Sequence, residues 1–213
     1  YFCKSMEEKK NYIIKNVGEL YMKHGIRAVT MDMVAAEFGV SKKTLYQFFK
    51  DKKDLIDQVI NYYLDRSALD IKMECPGNAI DRIFAMRNHV VQILKRFNNN
   101  LEFDLKKSYP DLYEKVHMLK RKSIFKHTVK NISGGIESGL FRPELDAEFI
   151  AKLQVGRMLY TLNPDNEIFD VSEMASIKLF DKVMDYHMHA ICTEKGVNYY
   201  KKQLNNIQNE ENN

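Results

Sequence analysis

The chain has 213 residues, carries a formal net charge of +4 and is 45% apolar, a composition that supports a folded core and excludes a disordered chain. No run free of Asp, Glu, Lys and Arg exceeds eight residues (Tyr186 to Thr193), far short of the ~20 apolar residues of a membrane-spanning helix. No secretory leader pattern opens the chain, and Cys3, Cys75 and Cys192 include no C-x-x-C pair, so reduced thiols and a cytoplasmic location are expected.

Apolar residues recur at helical spacing along the chain, and no segment sustains the period-2 alternation of a strand, which predicts an all-α fold. Ile13, Val17, Leu20, Tyr21 and His24 share one face, so a helix is expected over about 7–24, with Gly25 as its stop. Two short helices follow, near 31–38 and 42–49. Leu55, Ile56, Val59, Ile60, Tyr63 and Leu64 then predict a long helix from about 52 to 74. Further helices are expected near 79–97, 101–108, 111–138, 146–162 and 172–194, punctuated by Pro76, Pro110, Pro143 and Pro164. The Asn-rich end, 201–213, reads as a polar tail that frays.

The informative segment runs from Thr30 to Lys50. Two short helices pack at a steep angle only if their contact is small and the turn between them tight. Ala35 supplies the small contact, Gly39 can take a positive φ in the turn, and Val40 and Leu45 plug the angle. Thr30 and Ser41 stand where each helix needs an N-cap. The second helix then presents Lys42, Lys43, Thr44, Tyr46 and Gln47. Lys can bond guanine or phosphate, Gln can pair with adenine, and Thr and Tyr can reach phosphates or a thymine methyl. Charge points the same way. Residues 1–55 hold 11 Lys+Arg and 7 Asp+Glu (11 − 7 = +4), which is the whole of the chain's excess. Asp51 stands as a cap with Lys52 as the first helical residue, so a free N–H and an ammonium point together, an arrangement suited to phosphate.

The stretch Gly25 to Leu55 resembles the DNA-binding domain of the TetR (tetracycline-repressor-like) family. The resemblance is carried by Gly25, Thr30, Ala35, Phe38-Gly39-Val40-Ser41, Thr44-Leu45-Tyr46, Phe49, Lys52 and Leu55. Phe48 departs from it, because many members carry His or Tyr there. The resemblance implies a three-helix helix-turn-helix domain over 7–55, joined by a long helix to a helical ligand-binding and dimerisation domain over 56–200. It also implies a homodimeric regulator, a repressor by expectation, that binds a near-palindromic duplex DNA operator and answers to a small-molecule effector. Lys42, Lys43, Thr44 and Gln47 would face base edges. Thr30, Tyr46 and Lys52 would sit at phosphates, and Ser41 would be a cap that also touches one.

Outside that domain the signals are weaker. Phe84, Asn88, Phe103, Met118 and Tyr160 lie on the middle helices and are candidates for an effector pocket, although such a stripe also describes plain core. Ile177, Phe180, Met184, Met188 and Ile191 recur at near-heptad spacing and are candidates for a dimer seam, although burial within one subunit gives the same period. Gly135 to Pro143 reads as a helix end and turn. No metal, cofactor or catalytic site is expected: His187 and His189 point apart on a helix, and no H-E-x-x-H, G-x-S-x-G, P-loop or G-x-G-x-x-G motif occurs. The competing reading is an all-helical interaction protein whose helix-turn-helix is only structural.

Overall fold

A computed structural model describes residues 6–65, 77–96, 100–161, 163–174 and 176–211. Its described residues are helical, with no strand beyond an isolated bridge between Phe141 and Cys192. The helices are α1 (Met6–His24), α2 (Met31–Glu37), α3 (Lys42–Phe48), α4 (Lys52–Asp65), α5 (Ala79–Arg96), α6 (Asn100–Ser108), α7 (Pro110–Glu137), α8 (Ala147–Gly156), α9 (Val171–Met174), α10 (Ile177–Ile191) and α11 (Glu194–Glu211). A π-helical turn, Arg157–Thr161, continues α8. The long helix expected over 52–74 is described to Asp65, and the rest of that span lies outside the described residues.

The chain forms two compact units. One takes the described residues up to 65 together with Lys95–Lys120, and the other takes those from 77 to Leu94 and from Arg121 onward. In the first unit, α1 buries Ile13, Ile14, Val17 and Tyr21 at helical spacing. They join Leu45, Phe49, Leu55 and Ile56, each at most 1% exposed, in one apolar cluster. Glu7 and Glu8 in the first turn of α1 and Lys23 and His24 in its last suit the helix dipole. Gly18 lets α1 approach α4, because a Cβ at that position would overlap the Tyr63 ring. The Tyr63 hydroxyl donates to the Lys15 carbonyl at 2.8 Å. Leu105 of α6 and Leu112 of α7 complete this core. Compactness therefore does not divide the chain at the end of the helix-turn-helix: α6 and the start of α7 pack with it.

The core of the second unit is built from Ile80 and Phe84 of α5, Ile132 of α7, Phe141, Met184, Met188 and Ile191 of α10, and Tyr200 of α11. The segment after α7 turns as expected: Gly139 has φ +67°, and the Leu140 N–H donates to the Gly135 carbonyl at 2.9 Å. Two expectations are corrected. The last long helix is broken: α10 runs only over Ile177–Ile191, capped by the Ser176 hydroxyl before it and by Cys192 after it. Beyond it the chain is helical to Glu211, as α11, rather than a polar tail from 201. Thr193 starts it, its hydroxyl accepting the Gly196 N–H at 3.1 Å. Val197, Tyr200, Leu204 and Ile207 then give α11 an apolar stripe despite the asparagines between them. Tyr200 is fully buried and stacks on Phe84 with centroids 5.6 Å apart.

Candidate nucleic-acid interface

The α2–turn–α3 segment is held from both ends. Thr30 caps α2, accepting the Met33 N–H at 3.2 Å, and Ser41 caps α3, accepting the Thr44 N–H at 3.0 Å. Both cap residues have extended backbone. Gly39 carries φ +59° between the helices, a conformation that costs an L-residue about 1–2 kcal/mol. Val40, 9% exposed, and Leu45, fully buried, fix the angle from the α3 side.

At 100° per residue, Lys42, Lys43, Tyr46 and Gln47 occupy an arc of about 140° on α3, opposite Leu45. All four are exposed, and Thr44 is half-buried. Leu45 and Phe49 beneath them are fully buried, so the face is presented by a rigid support. Lys42 is not a free cation: its ammonium lies 2.7 Å from the Asp32 carboxylate. Asp32 holds the Lys42 pKa above its ordinary value, chiefly through this hydrogen bond. Phe48 packs against the core, consistent with its lack of a polar group.

Lys52 opens α4 as expected, with Asp51 accepting the Asp54 N–H at 2.8 Å and Asp54 accepting the Lys50 N–H at 2.8 Å. The Lys52 ammonium donates to the Arg27 carbonyl at 3.3 Å, and burial lowers its pKa. Lys53 pairs with Asp111 at 2.8 Å. The exposed Arg27 and Lys50 add positive charge to this unit, and no motif singles them out in the sequence.

Residues 13–59 match the family model for bacterial regulatory proteins of the tetR family. The chain belongs to that family. Among curated relatives, the uncharacterized HTH-type transcriptional regulator YhgD of Bacillus subtilis (strain 168) is 28% identical over 161 residues, 70% of this chain and 81% of the relative. YerO of the same organism, also an uncharacterized HTH-type transcriptional regulator, is 39% identical over 67 residues, 32% of this chain and 23% of the relative. Two solved structures share the fold at 14% identity. E. coli NemR in its reduced form has a TM-score of 0.66, with 87% of this chain and 98% of that chain covered. A TetR-family regulator from Cytophaga hutchinsonii has a TM-score of 0.64, with 92% and 100% covered. The protein is thus a DNA-binding transcriptional regulator of the TetR family. No helix among its described residues is long and apolar enough to cross a membrane.

The second unit of this TetR-family regulator carries a partly open cavity of about 310 Å³, walled by α5, α7, α8 with its π-turn, Met174, Ser176 and α10. Its lining is apolar apart from a few polar groups, chiefly Arg82, His127, Asn131, Gln154, Arg157 and His187. Among the lining residues there is no aspartate or glutamate. Burial, with the Arg157 charge alongside, lowers the His187 pKa to about 4.

None of the five pocket candidates lines this cavity. Phe84 is taken up by the core against Tyr200, and Asn88 is exposed. Phe103 and Met118 belong to the first unit and are 57% and 46% exposed, and Tyr160 is 63% exposed. The dimer candidates need a similar correction. Met184, Met188 and Ile191 are at most 5% exposed inside their own chain, where they pack with half-buried Phe180. Ile177 is half-buried. Phe180, Met184 and Ile191 also face the cavity. Met184, Met188 and Ile191 are therefore taken up by the core of their own subunit.

Proposed function

We propose that this regulator is a repressor acting in the cytoplasm as a homodimer on a near-palindromic operator, released when a small molecule occupies the cavity of the second unit. One observation carries the reading: an exposed Lys43–Tyr46–Gln47 face stands on the fully buried Leu45 and Phe49, between two capped helix ends. A face so supported suits insertion in the major groove, with Lys43, Thr44 and Gln47 at base edges and Thr30, Ser41 and Tyr46 at or near phosphates. Lys42 joins them once its pairing with Asp32 is exchanged for the DNA.

A second copy has a surface to occupy. Phe149, Leu153, Gly156 and Tyr160 fall on one side of α8 and its π-turn. Phe149 and Leu153 are each 55% exposed, and a Cβ at Gly156 would meet nothing within 4 Å. Tyr186 of α10 is 76% exposed. An apolar stripe of this kind on one chain suits a self-complementary, two-fold contact. The cavity volume falls in the range of small-molecule sites, ~300–1,000 Å³. Helix α7 supplies Leu112 to the core of the first unit and Ile132 to that of the second, so one continuous element serves both.

The deciding experiment is selection of random duplex DNA by the purified full chain. Recovery of a near-palindrome with half-sites about one helical turn (~34 Å) or more apart supports the reading. A pool with no enrichment sinks it and leaves the helix-turn-helix as structure alone.

A further inference from the structure

Four positively charged or protonatable side chains line the cavity, Arg82, His127, Arg157 and His187, and no carboxylate lines it with them. The fold does place a carboxylate opposite a buried arginine nearby. Arg87, on the same helix as Arg82 and 5% exposed, donates from Nε and Nη2 to the two oxygens of Asp181 at 2.7 and 2.8 Å. The cavity arginines lack this partner. Arg157 donates to the neutral amide oxygen of Gln154 and forms no ion pair among the described residues. Burial lowers its pKa, the mark of a cation short of compensating charge. Arg82 makes two long contacts, to Asn131 Oδ1 at 3.4 Å and to the Gly77 carbonyl at 3.3 Å, while its buried Nε has no hydrogen-bond partner. A half-buried guanidinium without a carboxylate carries part of its desolvation cost unrepaid, and a bound anion offsets it through paired N–H···O bonds.

We infer that the effector of this cavity is an amphipathic organic anion, a carboxylate on a short apolar body, with Arg157 and Arg82 as the groups that bind its head. The inference rests on the proposal that the cavity is an effector site. Arg157 opens the π-helical turn after α8, an irregularity that recurs at functional sites. The rest of the wall suits an apolar body: Met86, Met158, Met174 and Met184 are long and adaptable, and Ile83, Val90 and Leu179 add branched apolar surface. At about 30 Å³ for each water-sized group, the cavity holds roughly ten, the size of an eight-carbon fatty acid.

The test is calorimetric titration of the full chain with three probes of one length: octanoate, 1-octanol and octylamine. Octanoate is expected to bind at least tenfold more tightly than octanol, with octylamine weakest. Arg157→Gln is expected to erase the tenfold preference while octanol affinity stays within twofold. Arg157→Lys, which keeps the charge and the fold, is expected to retain part of it. Octanol binding as tightly as octanoate, or a preference that survives both Arg157→Gln and Arg82→Gln, overturns the anion assignment and leaves the effector site standing. Octanoate that binds with the stated preference but leaves operator affinity unchanged supports the anion site and overturns the effector reading. Failure of all three probes to bind overturns both.

Discussion

The Asp104 carboxylate accepts the backbone N–H of Arg27 at 3.0 Å. Asp104 is 7% exposed and sits on α6, yet it anchors the segment between α1 and α2. The carbonyl of the same Arg27 accepts from Lys52 at 3.3 Å, so this residue's polar backbone groups are held by two side chains of opposite charge. Asp104→Ala leaves the Arg27 N–H without its partner and is expected to cost about 1–3 kcal/mol, read by chemical denaturation. Asp104→Asn keeps an acceptor oxygen and should recover part of the loss. Equal stability of wild type and Asp104→Ala would remove this anchor from the account.

Lys52 has two candidate duties, and salt separates them. If its ammonium also meets a phosphate, Lys52→Ala flattens the slope of log K against log salt by about 0.9. A loss of affinity with an unchanged slope leaves Lys52 as a brace for Arg27. Asp32→Asn is the converse experiment. It frees Lys42 and removes a negative charge from the same surface, so binding should tighten on all sequences and the slope should steepen.

Base reading is expected from Lys43 and Gln47, which are exposed on the same side of α3. Each alanine substitution should relax preference at one or two operator positions, at a cost of ~1–3 kcal/mol where a bidentate contact is lost. A uniform loss over all sequences would make them phosphate contacts instead.

The helix-turn-helix was legible because its signals are local. Thr30, Gly39, Ser41 and Leu45 act within a few residues of themselves, through caps, a positive φ and a plug. What depends on distant partners was not. Helical period marks Met184, Met188 and Ile191 as one face but cannot say whether that face meets its own chain or another, and here it meets its own. The cavity arginines escaped notice because Arg82 and Arg157 lie on separate helices and share no motif. What marks them is the missing carboxylate, a property of the folded wall. In α11, the polar composition concealed the apolar repeat through Tyr200, and the helix start at Thr193 is a local signal that could have revealed it.

The His187 imidazole gives a pH signature. Its pKa falls from 6.5 to about 4 in the folded chain, because burial and then the Arg157 charge disfavour the protonated ring. Below about pH 6.5 the unfolded chain takes up a proton that the folded chain refuses. Stability is therefore lost as pH drops from about 6.5 toward 4, on the order of 2–3 kcal/mol for this group, and is unaffected by it above that window. His187→Gln should flatten the wild-type curve there. The difference between the two curves isolates His187 from the five other histidines, and a constant difference across the window would refute the assignment.

Two charge insertions locate the dimer contact. Leu153 is 55% exposed in the single chain, whereas Met184 is 5% exposed within the second unit. Leu153→Glu places a charge where the proposed partner sits but disturbs nothing inside the subunit. It should yield a monomer whose secondary structure is intact and whose operator affinity is much reduced, since two linked reading heads become one. Met184→Glu replaces a thioether packed in the core beside Met188 with a group that must be desolvated, so it should destabilise the second unit itself, with the unfolding midpoint falling. Sedimentation and a denaturation curve for each variant separate the two effects. If Leu153→Glu stays dimeric while Met184→Glu gives a folded monomer, the α10 stripe is the interface after all and the exposed face of α8 is not.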